Sequence, residues 1–264
     1  MSTAAATDAA LADALRRAGH DWIVPEWPAP PRVAAFVTTR NGGVSAGRFA
    51  SLNLHAARPL GDSAAAVAEN HARVRAFLPA APVWLAQVHG NAVHVAGKAR
   101  GAGETAPVAD GAVARAADVV LAVQSADCLP VLLADRVGAA VAIAHAGWRG
   151  LAAGVVGNAV RALAIPPHRV VAWLGPAIGP DAFEVGEDVR AAFGGEDGAG
   201  AAFRPEAAGK WYADLYALAR RCLAQCGVHE VYGGGACTYS EPARFFSYRR
   251  DGDTGRMAAL LWLR

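Results

Sequence analysis

Short apolar runs alternate with helical patterns and with glycine- and proline-containing breaks along most of the chain. The runs predict strands over Val33–Thr39, Val83–Val88, Asp118–Gln124, Leu129–Ala134, Ala139–Ala144, Val170–Leu174, Glu230–Tyr232 and Met257–Leu263. Their lengths and β-branched content favour strands over short buried helices. Helices are predicted over Ser63–Leu78, Gly150–Ala164 and Ala213–Cys226. Ser63 is a candidate N-cap for the first, and Leu215, Leu218 and Cys222 share one face of the third. Residues 1–20 read as a short, weakly packed helix or a disordered lead, followed by the proline-broken segment Trp22–Pro31. Glycine-rich breaks fall at Gly42–Gly43, Gly101–Gly103, Gly194–Gly200 and Gly233–Gly235, and only Gly194–Gly200, with Glu196 and Asp197, has the character of a flexible excursion. No repeat, long linker or composition shift marks a boundary. The economical expectation is a single α/β domain with a mixed sheet.

Composition narrows the class. The chain has 264 residues, 54% hydrophobic and 18% charged, which supports a substantial core and excludes wholesale disorder. No run approaches the ~20 apolar residues of a bilayer span. Asp8, Asp13, Arg16 and Arg17 break the alanine-rich N-terminus, which does not read as a signal peptide. A cytoplasmic, reducing location is therefore expected, with Cys128, Cys222, Cys226 and Cys237 as thiols. The net charge of +2 is scattered and indicates no nucleic-acid surface.

Three segments join a strand end to reactive side chains: Gln87-Val88-His89-Gly90, Ser125-Ala126-Asp127-Cys128-Leu129-Pro130 and His145-Ala146-Gly147-Trp148-Arg149-Gly150. Such turns gather ligands in open α/β folds. His89, Cys128 and His145 together would form a His₂Cys set suited to zinc or copper, leaving a position open for water or substrate. Taken singly, Cys128 reads rather as a small buried hydrophobe and each histidine as a hydrogen-bonded strand terminus. Arg40, in Thr-Thr-Arg-Asn-Gly-Gly (38–43), and Arg149 read either as an anion clamp or as solvated turn arginines. Cys222, Cys226 and Cys237 read as core residues. His20, His55, His71, His94, His168 and His229 show no partner pattern and read as surface or structural. No P-loop sequence is present.

The order of motifs carries more than any one of them. Thr-Thr-Arg-Asn-Gly-Gly-Val-Ser (38–45), Ser-Leu-Asn-Leu (51–54), Gln-Val-His-Gly (87–90) and Ala-Asp-Cys-Leu-Pro-Val (126–131) come first. His-Ala-Gly-Trp-Arg-Gly (145–150), Leu-Gly-Pro-Ala-Ile-Gly-Pro (174–180) and Cys-Thr-Tyr…Phe-Phe-Ser-Tyr-Arg-Arg-Asp-Gly-Asp-Thr-Gly-Arg-Met (237–257) follow. In this order the chain closely resembles the YfiH family, also called the laccase-domain or peptidoglycan-editing-factor family, from about Trp22 to the C-terminus. The resemblance implies a single-domain α/β/β/α sandwich with mixed β-sheets, as residues 22–264 behind an Ala-rich N-terminal lead at 1–21. It implies a purine nucleoside phosphorylase acting on adenosine, inosine and S-methyl-5′-thioadenosine, with adenosine deaminase activity. It also implies a metal, zinc or copper, held by His89, Cys128 and His145, which match the family's ligand positions. The family has further been called polyphenol oxidase and linked to quality control of cell-wall precursors.

The residues weigh these activities differently. A multicopper oxidase needs many imidazoles, usually in His-x-His pairs, whereas this chain has 8 His and none so spaced. Phosphorolysis needs phosphate beside the sugar carbon, for which Arg40 and Arg149 are the candidates, the latter aided by the N-terminus of the 150–164 helix. Deamination needs an activated water, which a three-ligand site could supply. The zinc-deaminase signature is absent, which leaves the general acid/base open; Asp127 is only a neighbour. Cys128 as a thiolate nucleophile with His145 or His89 as base, a cysteine hydrolase, is the reading from another class. The expected partners are a nucleoside and phosphate, with no nucleic acid and no membrane. The metal, the preferred nucleoside and the oligomeric state stay open.

Overall fold

Thirteen strands form among the described residues, and the central ones are continuous apolar runs because both of their faces are buried. The computed structural model describes residues 3–55, 61–97, 105–194, 200–207 and 209–264. The breaks expected at 101–103 and across 195–199 lie outside them. A six-stranded mixed sheet runs in the order β12 (Glu230–Gly233), β8 (Val170–Leu174), β6 (Leu129–Asp135), β7 (Val141–Ala146), β4 (Gly111–Ala114) and β3 (Val93–Val95). A four-stranded sheet, β1 (Val33–Val37), β13 (Met257–Leu263), β5 (Val120–Ser125) and β2 (Pro82–Val83), packs against it. A small sheet of β10 (Phe203–Pro205), β11 (Lys210–Ala213) and β9 (Glu184–Gly186) lies apart from both ladders.

Strand alternation builds the layers. Leu132 and Ala134 of β6 join Leu121, Val123, Ala259 and Leu261 in the core between the two large sheets. Their neighbours Leu129, Val131 and Leu133 face the other way, into a core closed by α3 (Trp148–Ala152), α4 (Val155–Leu163) and α6 (Leu215–Gln225). The outer face of the four-stranded sheet, including Phe36, Leu260 and Trp262, is covered by Leu15 of α1 (Thr3–Arg17) and Val74 of α2 (Ala64–Arg75). The result is the α/β/β/α sandwich with mixed sheets. Residues 1–21, expected as a lead, thus include a helix whose Leu15 is buried on the sheet. A short α5 (Glu187–Ala191) follows β9. No helix of the described residues is long and apolar enough to cross a membrane.

Two predicted elements differ in ways that shape the site. The Val83–Val88 strand pairs only over Pro82–Val83, with one further bridge from Ala86 to Val108. Beyond it, the backbone N–H groups of Val88 and His89 are spent on a carboxylate rather than on a ladder. The predicted 150–164 helix is two helices, because Gly154 takes a left-handed conformation (φ 88°) between them, and the first begins earlier, at Trp148. Not among the predicted strands are β3, β9, β10 and β11, which are only three or four residues long, and the Gly/Ala-rich β4.

Leu132 is wholly buried at the centre of the intersheet layer. Leu132→Ala should lower unfolding stability by about 2–5 kcal/mol, read from the urea midpoint. A loss below about 1 kcal/mol would contradict tight packing there.

Candidate metal centre at the end of the six-stranded sheet

The antiparallel ladders bring three distant segments to one end of the sheet. Pro130 of β6 pairs with His145 of β7, and Ala144 of β7 pairs with Gly111 of β4. Cys128, just before β6, and Asp110, just before β4, therefore flank His145 near the end of β7. His89 arrives from the loop between β2 and β3.

Asp110 holds the arrangement together. Its side chain is fully buried, and its carboxylate accepts hydrogen bonds from the backbone N–H of Val88 (3.1 Å), His89 (2.9 Å) and Gly90 (2.7 Å). It also accepts from His145 Nδ1 at 2.9 Å, while its own backbone carbonyl accepts the His145 N–H at 2.7 Å. These donors hold its carboxyl below the usual range against the opposing effect of burial. With Nδ1 committed to Asp110, His145 presents Nε2 to the cluster. His89 is held in the left-handed region (φ 60°), an uncommon backbone state for histidine that the three adjacent hydrogen bonds over-determine.

The three predicted ligands converge. One ligand atom from each of His89, Cys128 and His145 lies within 4.8 Å of the other two, and Cys128 Sγ is 3.7 Å from His89 Nε2. A tetrahedral zinc separates thiolate and imidazole ligands by about 3.6 Å, so the set fits a metal with little movement. The donor chemistry also fits, because an imidazole oriented by a carboxylate is the usual way such a ligand is fixed. His145 is buried, Cys128 half-buried and His89 exposed, which leaves the cluster open on the His89 side. Close approach depends on Gly147: a Cβ there would lie 2.8 Å from Cys128 Sγ and 3.0 Å from His89 Cδ2.

Without metal the cluster is a charge pair. Burial opposes a charge on Cys128, but His145 and then His89 outweigh it and pull the thiol from 9.0 down to about 6. Burial likewise opposes the His145 charge, but Cys128 and Asp110 hold it up at about 9. Between these values the thiolate–imidazolium form is favoured.

The arginines divide. Arg149 is exposed, lies over the Trp148 ring (4.4 Å to the centroid), and its guanidinium makes no hydrogen bond among the described residues. It sits two residues beyond Gly147. Arg40 is bound to the loop packing instead: Nε donates to the Ala50 carbonyl and a terminal nitrogen to that of Pro242, both at 2.9 Å, and the guanidinium lies over Phe246. The expected helix N-terminus beside Arg149 is only that of the five-residue α3, so it adds little field. Asp127 holds the Cys128 turn: at φ 92° its carboxylate accepts from Thr238 Oγ1 (2.6 Å) and Arg249 N (2.7 Å). Cys222 and Cys226 pack against the helical core as expected, whereas Cys237 is a half-buried turn residue whose Sγ accepts from Gly179 N.

This is a sandwich fold with a strand-end His–Cys–His centre oriented by a buried carboxylate. Residues 34–264 match the family described as multi-copper polyphenol oxidoreductase laccase, and the chain belongs to that family. It is 50% identical to the purine nucleoside phosphorylase YfiH of Escherichia coli over 243 residues, covering 91% of this chain and 98% of that protein. A Pseudomonas aeruginosa purine nucleoside phosphorylase is likewise 50% identical, covering 92% and 98%. Among solved structures, a Neisseria meningitidis protein superposes with a TM-score of 0.84 at 50% identity, covering 92% of this chain and 99% of that one. YlmD from Geobacillus stearothermophilus gives 0.79 at 34% identity, covering 88% and 92%.

Two outcomes follow from this geometry. Asp110→Asn should weaken zinc binding about 10–100-fold, measured by competition with a chromophoric chelator; unchanged affinity would remove Asp110 from the centre. In metal-free protein, alkylation of Cys128 should rise as pH climbs through about 6, because the thiolate forms there rather than near 9. A midpoint that stays near 9 would contradict the charge pair.

Proposed function

We propose that the chain is a metal-dependent purine nucleoside phosphorylase whose centre also deaminates adenosine. The observation that carries this reading is the convergence of His89, Cys128 and His145, with the exposed Arg149 following His145 on the same segment. The names of its relatives support the phosphorylase assignment. In phosphorolysis a phosphate oxygen bonds to the sugar C1′ as the C1′–N9 bond breaks. Adenosine or inosine then yields free base and ribose 1-phosphate; S-methyl-5′-thioadenosine yields the corresponding thiosugar phosphate. Deamination adds water to C6 of adenosine and releases ammonia, leaving inosine.

The residues have separate tasks. His89, Cys128 and His145 would hold zinc, with copper acceptable to the same donors. Bound metal supplies Lewis-acid polarisation and activation of water. Arg149 offers phosphate a planar fork of donors, and Arg40 adds positive charge through the terminal nitrogen not used on a carbonyl. Asp110 keeps the His145 proton on Nδ1. The multicopper name calls for further copper clusters, and among the described residues only this His/Cys/acid grouping has metal-ligand spacing. The free cysteines suit the proposed cytoplasmic location.

One observation favours a second reading. Metal-free Cys128, His145 and Asp110 stand in the order of nucleophile, base and orienting acid. A cysteine hydrolase acting on cell-wall precursors would use them so.

The readings part under chelation and alkylation. With adenosine and phosphate, the protein should give ribose 1-phosphate, adenine and inosine, and Cys128→Ala or metal removal should depress both reactions together. Loss of one charge-assisted hydrogen bond costs about 1.5–3 kcal/mol, so Arg149→Ala should raise KM for phosphate about tenfold or more. Product formation that resists chelators, fails only on thiol alkylation and ignores phosphate would overturn the proposal in favour of the hydrolase.

A further inference from the structure

The segment Phe245–Asp251 supplies no metal ligand, yet it is built onto the Cys128 turn. Phe245 and Phe246 are fully buried, and the Ser247 hydroxyl accepts from Arg250 N to start the short helix α7 (Tyr248–Asp251). The Arg250 guanidinium donates to the carbonyls of Thr238, Tyr239 and Phe245. Arg249 donates its backbone N–H to Asp127 at 2.7 Å and its guanidinium to the Glu184 carbonyl. The flanking residues of Tyr248 are therefore fixed by backbone and carbonyl contacts. Tyr248 itself is 60% exposed, and its hydroxyl has no partner among the described residues.

Two connections bracket the position of the ring. The backbone of Tyr248 adjoins Arg249, which is bonded to the residue before Cys128. Its ring lies 5.9 Å from the guanidinium of Arg256, whose neighbour Met257 pairs with Ser125. The covalent and hydrogen-bonded path from Cys128 keeps the two Cα atoms within roughly 13 Å, about the reach of a nucleoside plus an aromatic side chain. A rigidly based aromatic within that reach of Cys128 offers an apolar face and a polar tip to a nucleoside held at the cluster.

We infer that Tyr248 is the platform on which the base of a purine nucleoside stacks, a specificity-determining role that rests on the phosphorylase reading above. Stacking uses the face of the base and not its edge, so it tolerates the exchange of a 6-amino for a 6-oxo group. A platform of this kind accounts for one pocket accepting both adenosine and inosine.

The test is steady-state kinetics of Tyr248→Ala and Tyr248→Phe, with zinc content measured on each. Tyr248→Ala should raise KM for adenosine and for inosine by similar factors, about 5- to 100-fold, with KM for phosphate and zinc content unchanged. Tyr248→Phe should restore nucleoside KM to within about threefold of wild type, because the ring face is kept. Unchanged nucleoside KM in zinc-replete Tyr248→Ala, beside an active wild type, would overturn the stacking role alone. So would an effect confined to phosphate or to kcat. A zinc-replete wild type that neither cleaves nor deaminates nucleosides would overturn the phosphorylase reading and this inference with it.

Discussion

A carboxylate sealed from solvent at the end of a sheet needs donors around it, and Asp110 meets that requirement in a way that builds the site. Leaving such a charge unpaired in the interior would cost several kcal/mol. Its donors come from residues 88–90 and from His145, which are 20 or more and 35 positions away in sequence. One buried charge thereby fixes the path of a loop, the backbone conformation of one histidine and the tautomer of another. The spacing of the three candidate ligand atoms follows from those constraints.

The sandwich supplies the stiffness that the centre requires. β6 and β7 lie in the interior of the six-stranded sheet, buried on both faces between the second sheet and the helices. Side chains at their ends inherit that order, while the His89 loop and Arg149 stay accessible. Gly147 and Gly150 let the segments close: a Cβ on Gly150 would lie 2.8 Å from the Gly90 carbonyl. The His-Ala-Gly-Trp-Arg-Gly motif thus combines a candidate ligand, two close approaches and an exposed arginine in six residues.

Much of the core was legible in the sequence. Met257–Leu263 and Val170–Leu174 coincide with their predicted strands because continuous burial on both faces leaves an uninterrupted apolar run. Gly154 hid the helix break, since glycine inside a helical pattern does not announce a left-handed turn. His89, Cys128 and His145 were readable as a set only through their motifs. No local spacing joins them, and the antiparallel register does so in three dimensions. Asp110 escaped because Ala-Asp-Gly (109–111) reads as an ordinary turn acid, and its partners are remote. Arg40 and Arg149 looked alike in glycine-containing turns; only the carbonyls of Ala50 and Pro242 distinguish them.

The central claim is that one metal ion is held by two imidazoles and a thiolate at the sheet end. X-ray absorption at the zinc edge, on protein loaded with one equivalent of zinc, tests it most directly. The account predicts a first shell containing one sulfur and two imidazole nitrogens, with the sulfur lost in Cys128→Ala. A shell of nitrogen and oxygen alone in the wild type, indifferent to that substitution, would contradict it.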